Sequence, residues 1–508
     1  MKKVMHIYDY LRLPIRVAFF GFVLIAFGTL IQSESVNIFY TFRLRVLLSA
    51  ADICLRIGRA IIINLPLFFM VNIVCKKANS GLPIVLAITG YITYLVTTML
   101  FGPGSLSTSA YLSNSLFSFS DSAHGPLQTG LVGSFLIGYA TRYSYMRSRH
   151  KSRFSFLTFV NRDTTALIYN MVFCFIIGLL MSYAYGFFYA LLQREITYIA
   201  QDLMDPRRIA LYGFLDRFLT VFGLGNLIRQ PFWYTAAGGS YSNLVTGSVV
   251  LGDVNIWSYI REHNSAYLGA GRFITAYYVI NIFMIPAFYL GSFLFISDSQ
   301  DRSRLIVPMI LMSLLSILCG NPLPAELTML FTTPLLWVFY LLISAVVYGL
   351  LVYLSVFLGF PYSLAETSYA MPGSLFDLVI NLRNIQYRNA VGQIVLVGLG
   401  AFAVMFIAVF LYYRFLAYDI ASTGKKRDLS ARIIEAAGGA ENIESCSSGL
   451  FRLVLELKDL EKVSFEDIRA IGARHVLETR KGLSIELGSS SYILSREVRK
   501  QVKEAVRN

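Results

Sequence analysis

Three ionisable side chains stand out because of where they fall in the 508-residue sequence. Asp216 and Arg217 lie in a semi-polar stretch at 207–235, and Glu326 sits between a proline-rich break and a long apolar run. A charge in such surroundings is costly unless paired, so a role in function is its default reading. A carboxylate can accept two hydrogen-bond donors, which suits Glu326 to contact with a polar solute. The competing reading is a cap on a broken helix end, where free N–H groups attract negative charge. Asp216 and Arg217 are neighbours, so on a helix they point to different faces and need not pair. Each either touches substrate or neutralises a charge elsewhere. Asn64 and Asn226 stand beside Pro66 and Gly225, where satisfying freed backbone groups is the first task expected of them. Asn321 shares the proline-rich break with Glu326.

Other chemistry is sparse. No two of Cys54, Cys75, Cys174, Cys319 and Cys446 have zinc-ligand or redox-motif spacing, and the five histidines are scattered. No metal site or cofactor is expected. Four of the thiols lie in or beside apolar stretches and read as inert packing. Cys446, followed by Ser447 and Ser448, is the exception and reads as part of a solvent-facing loop.

The elements that must hold these groups follow from composition. The chain is 56% hydrophobic and 15% charged, with mean hydropathy +0.59, against about 25% charged in ordinary soluble domains. Too few charges exist to cover a soluble surface, which leaves a polytopic membrane protein. Residues 425–508 hold 16 Lys/Arg against 13 Asp/Glu, so most of the net +14 lies among the apolar segments. There it reports orientation rather than nucleic-acid binding.

A crossing helix needs about 20 mainly apolar residues. Runs of roughly that length occur at 17–31, 60–75, 82–101, 129–143, 166–192, 270–296, 305–319, 327–357 and 390–417. The first follows Lys2, Lys3, Arg12 and Arg16 without a small-residue cleavage site and reads as an uncleaved span. The stretch 207–235, broken by Gly213, Gly223, Gly225 and Pro231, predicts re-entrant or interrupted backbone covered by protein. The fold class expected is a polytopic α-helical membrane domain of about ten transmembrane helices plus re-entrant elements, followed by a small α+β domain. Basic clusters at Arg142–Arg153 and Lys425–Arg427 are expected on the cytoplasmic side.

The tail reads as helix 429–437, strand 450–457, helix 465–473, strands 475–479 and 483–487, and helix 495–506. The division expected is a membrane domain over 1–418, a basic linker over 419–428 and a tail domain over 429–508.

Five stretches then carry a resemblance. Asn64-Leu-Pro-Leu-Phe68, Tyr212-Gly-Phe-Leu-Asp-Arg217, Phe222-Gly-Leu-Gly-Asn226, Gly320-Asn-Pro-Leu-Pro-Ala-Glu-Leu327 and Gly438-Gly-Ala-Glu-Asn-Ile443 resemble, in order, motifs of bacterial sugar phosphotransferase system permeases of the glucose family. In that family a membrane IIC domain precedes a cytoplasmic IIB domain. The resemblance implies a multi-pass protein of the bacterial inner membrane, a homodimer through the membrane domain, and a IIA or IIB phosphocarrier partner. It also implies a site for a neutral sugar or polyol built from the 212–235 and 320–328 stretches, with Glu326, Asp216, Arg217, Asn226, Asn64 and Asn321 as candidate contacts.

The departures from the family fall on the chemistry. Where the family's Cys-Ile-Thr-Arg-Leu-Arg stretch carries a phosphorylated cysteine, this chain reads Gly449-Leu-Phe-Arg-Leu-Val454. Glycine offers no side chain to phosphorylate. Arg452 remains as a remnant of the phosphate-holding charges, and Val454 replaces the second arginine. Cys446 is the one nearby thiol, three residues too early for positioned chemistry. In the membrane domain the family's histidine pair becomes Gly225-Asn226, and its Thr-Glu-Pro becomes Pro322-Leu323-Pro324. The function expected is transport of a sugar or related polar solute without coupled phosphorylation. Two alternatives stand beside it: an active phosphotransferase using Cys446 or a IIB partner in trans, and a non-transporting sugar receptor or regulator.

Overall fold

A computed structural model describes residues 2–32, 45–75, 81–104, 106, 110–112, 125–148, 162–242, 247–263, 267–296, 299–360, 372–416, 426–449, 451–471, 473, 475–479, 482–488 and 491–507. The first helices are α1 (Lys2–Gln32), α2 (Arg45–Ile63), α3 (Leu65–Cys75), α4 (Leu82–Phe101), α5 (Gly130–Ser148) and α6 (Arg162–Ala200). Two short helices follow, α7 (Pro206–Val221) and α8 (Asn226–Tyr234), then a small hairpin of β1 (Ser240–Ser242) and β2 (Val249–Leu251). Next come α9 (Asp253–His263), α10 (Thr275–Phe293, with a π-turn at Ile280–Met284), α11 (Ser299–Cys319), α12 (Leu323–Thr332), α13 (Pro334–Tyr353), α14 (Leu375–Arg383) and α15 (Arg388–Leu411).

Among the described residues six helices are long and apolar enough to cross a membrane, or seven if the bent pair α2–α3 counts as one span. The count of about ten is not confirmed, and 305–319 and 129–143 are the two of the nine apolar runs that form no crossing helix among the described residues. The 305–319 run is short. The 129–143 run forms α5, whose last turns carry Thr141, Arg142 and Arg147. The 327–357 run breaks at Thr333-Pro334 into α12 and α13, because proline removes a helical N–H and clashes with the preceding turn. Large apolar side chains still face outward, among them Leu180, Tyr183 and Phe187 on α6 and Leu396, Leu399 and Ile407 on α15. A soluble surface would not carry such a coat.

The tail resembles its sequence expectation in α16 (Lys426–Ala436), β4 (Arg452–Leu457), α17 (Phe465–Ala470), β5 (Val476–Thr479), β6 (Gly482–Glu486) and α18 (Ser491–Arg507). One element was not expected: Ile443–Ser448 is strand β3, paired antiparallel to β4, in a sheet ordered β3-β4-β6-β5. A bulge between Ile443 and Ser445 interrupts its alternation, which hides the period of two in the sequence. The tail has its own apolar core, built on Ile433, Leu453, Leu455, Ile485 and Val498. Of the linker expected at 419–428, residues 419–425 lie outside the described residues, as do Arg149, Lys151, Arg153 and Leu450.

Candidate functional site

Three breaks in the helical framework converge on one place. At the first, Asp205 caps α7 by accepting from the Arg207 N–H at 2.9 Å, with Pro206 in the first turn. α7 packs closely on α13; a Cβ on Gly213 would overlap the Tyr348 ring. Gly223, at φ +77°, then turns the chain from α7 into α8 in a conformation that side chains rarely adopt. The second break is the Gly320–Pro322 segment before α12, where Asn321 Oδ1 accepts from the Leu323 N–H at 3.2 Å. The third, the π-turn of α10, begins one turn after Tyr277.

A four-charge cluster sits between these elements. Arg217 donates through Nε to Asp216 Oδ2 at 3.0 Å and through Nη1 to Glu326 Oε1 at 3.2 Å. Arg229 donates through Nε to Asp216 Oδ1 at 2.5 Å and through Nη2 to Thr220 Oγ1 at 2.6 Å. Tyr277 OH donates to Asp216 Oδ2 at 2.9 Å, and Tyr340 OH to Glu326 Oε1 at 2.5 Å. Asp216, Arg217 and Glu326 are fully buried, whereas the Arg229 side chain is 21% exposed. Two cations and two anions cancel formally, which is what lets four charges sit in an apolar core. The guanidiniums also lie against aromatic faces, with Arg217 4.4 Å and Arg229 5.6 Å from the Tyr277 ring centre.

Beside the cluster is a cavity of about 280 Å³, lined by Arg217, Arg229, Thr220, Trp233, Asn321 and Leu323, with Phe22 and Thr29 of α1 on another side. Its size suits a small solute. The expected site residues divide accordingly. Arg217 and Asn321 line the cavity; Asp216 and Glu326 stand behind the arginines and hold them. Asp216 and Arg217 pair although neighbours on a helix need not, because the long arginine stem folds back on its neighbour. Glu326 Oε2 has no hydrogen-bond partner among the described residues.

Asn226 is exposed at the start of α8, away from the lining. Asn64 is also off the lining. Its amide donates to the Ala60 carbonyl at 2.8 Å, at the 55° bend between α2 and α3. Asn64→Ala is expected to cost about 1 kcal/mol, read as a lowered thermal unfolding temperature in detergent.

Sequence reading missed Arg229, Tyr277 and Tyr340. Arg229 carried a usable signal, an arginine inside the interrupted stretch. The tyrosines carried none among 32.

In the tail, Cys446 is 7% exposed on β3 rather than in a solvent-facing loop. Its thiol donates to the Ser495 carbonyl at 3.6 Å, and Arg499 of α18 donates to the Cys446 carbonyl. Burial pushes the thiol up to about 12 from an ordinary 9.0, so little thiolate forms near neutrality. The folded state therefore holds this proton more tightly than the unfolded one. The resulting stabilisation is full below pH 9 and is lost as pH rises toward 12. Maleimide treatment of the native chain at neutral pH is expected to leave Cys446 unmodified, as read by peptide mass spectrometry; rapid labelling would contradict the burial.

Gly449 ends β3, its N–H donating to the Arg452 carbonyl at 2.8 Å. Phe451, in the same turn, packs against the membrane-domain core. Tyr492 of α18 meets Phe295 edge-on at 5.1 Å. The turn that resembles a phosphoryl site is thus seated on the membrane domain.

The sequence model of the family described as "Phosphotransferase system, EIIC" matches residues 9–345. The chain belongs to the phosphotransferase system EIIC family. The EIIC match spans α1 to α13 and so includes every residue of the four-charge cluster. The chain is 26% identical over 505 residues to the glucose-specific EIICBA component of Staphylococcus saprophyticus, covering 95% of this chain and 70% of that relative. It is also similar to the crystal structure of the transporter ChbC, the IIC component from the N,N'-diacetylchitobiose-specific system. That match has 14% identity and a TM-score of 0.29, and covers 83% of this chain and 96% of that one. So low a score carries no common arrangement of helices. The EIIC assignment and the apolar helices make this a bacterial membrane protein of the sugar transporter class.

Proposed function

We propose that the chain is a sugar permease of the glucose type that moves its solute by alternating access without phosphorylating it. The observation that carries this reading is the cavity of about 280 Å³ whose wall holds two guanidiniums fixed by buried carboxylates. A site so braced binds a polar solute without rearranging, and interrupted helices around it provide the parts that can rock. In this reading Arg217, Arg229 and Asn321 contact the solute, while Asp216 and Glu326 position them. Residues 1–418 form the permease, 419–428 a basic linker and 429–508 a cytoplasmic IIB-like domain that folds without performing the family's chemistry. Gly449 in place of a thiol, and Cys446 sealed under α18, support the last point.

Uptake by proteoliposomes containing the purified chain, with no phosphoenolpyruvate or phosphocarrier present, tests the proposal. Labelled sugar should accumulate to the external concentration and no further, and should be recovered unmodified. Absence of uptake, or recovery as sugar phosphate, would reject it.

A further inference from the structure

The polar atoms on the cavity wall are not a balanced set. Thr29 Oγ1 donates to the Ile25 carbonyl, Thr220 Oγ1 donates to the Asp216 carbonyl, and Tyr277 OH donates to Asp216 Oδ2. Trp233 Nε1 is bonded to Tyr212 OH at 3.1 Å, and Asn321 Oδ1 accepts from the Leu323 N–H. The hydroxyl oxygens keep acceptor lone pairs, but the charged groups with hydrogen-bonding capacity left on this wall are donors. A guanidinium has five N–H groups; those of Arg229 Nη1 have no bond among the described residues. The same is true of Asn321 Nδ2. Among the described residues no carboxylate lines the cavity. Both oxygens of Asp216 are engaged by the arginines, and Glu326 lies behind Arg217 with its free Oε2 sealed from solvent. At the mouth of α12, where a carboxylate would reach the cavity, the wall is Leu323.

Each hydroxyl of a neutral sugar offers one donor proton and two acceptor lone pairs, and its protons need strong acceptors. This wall supplies few. It presents instead the positive ends of two ion pairs whose negative ends face away, and charge-assisted bonds from arginine select carboxylate or phosphate oxygens. We infer that the solute of this cavity is an anionic monosaccharide, a sugar acid or sugar phosphate, rather than a neutral sugar. The inference rests on the transport reading and narrows its substrate class. The anionic group meets Arg229, with Arg217 buried behind it, and the ring lies along Trp233 toward Phe22 and Leu323.

Isothermal titration of the purified full-length chain with glucose, glucuronate, glucose 6-phosphate and inorganic phosphate tests this. At least one of the two anionic sugars should bind about tenfold or more tightly than glucose. Which of the two binds separates carboxylate from phosphate recognition. Arg229→Gln should shrink the preference for the anion over glucose by about tenfold, and Arg229→Lys should restore part of it. Leu323→Glu leaves the charge cluster untouched and should invert the preference. Glucose bound as tightly as both anionic sugars, or inorganic phosphate bound as well as either of them, would overturn the inference. In the proteoliposome assay, glucose uptake indifferent to both anions would overturn it while leaving the transport reading intact. Failure to bind or move any of these sugars would remove both.

Discussion

Replacing Arg217 by methionine is expected to abolish uptake and to lower the stability of the membrane domain by about 3–5 kcal/mol. The side chain is fully buried and ties both carboxylates together, holding Asp216 through Nε and Glu326 through Nη1. Without it Glu326 keeps only Tyr340. Asp216 keeps Arg229 and Tyr277, so the damage concentrates on α12. Arg217→Lys should rescue little, because one ammonium cannot bridge two carboxylates with the geometry of a planar fork. The double variant Arg217→Met/Glu326→Gln should recover a part of the stability, since it removes the uncompensated charge along with its partner. Thermal unfolding in detergent and proteoliposome uptake measure the two effects separately. Normal unfolding in the single variant would mean that the cluster is looser than its hydrogen bonds imply.

The second large effect is an absence. Given phosphoenolpyruvate, the soluble phosphocarriers and a competent IIA domain, the chain should acquire no covalent phosphate above background. That is a loss of roughly 10⁴-fold or more relative to a tail bearing a nucleophile. Gly449 has no side chain, and Cys446 lies under α18 with its thiol pushed up to about 12. Ser448 is buried against Ser495 at 3.2 Å. The turn is also occupied, with Phe451 against the membrane domain and Tyr492 on Phe295. A phosphocarrier would have to displace those rings to reach it. Labelled protein that retains its phosphate in Cys446→Ala would disprove the inert-tail reading by pointing to another residue.

Particular elements show what the sequence could reveal. The tail's strands at 452–457 and 482–486 were legible because apolar residues recur on one face, while β3 was not, since its bulge breaks that period. The interrupted stretch 207–235 announced itself through glycine and proline, and it became two short helices around Gly223. The span count of about ten is not confirmed, because among the described residues the runs at 129–143 and 305–319 form helices too polar or too short to cross. Asp216, Arg217 and Glu326 could be named as important because charge is rare and costly in an apolar chain.

Their roles could not be assigned that way. From the sequence Glu326 was either a direct contact or a helix cap, and Asp216 and Arg217 did not need to pair. The folded chain puts the carboxylates behind the arginines, and adds Arg229 from 13 residues beyond Asp216 and Tyr277 from 61 beyond. Composition, motif order and the glycine at 449 are local properties, so the chain alone determined its class, its family resemblance and the expectation that the tail lacks a nucleophile. Which atoms face the cavity depends on how several separate helices cross, and hydrogen-bond donors and acceptors are consumed by whatever neighbour that crossing brings. Only the tertiary structure could decide that the wall presents cations.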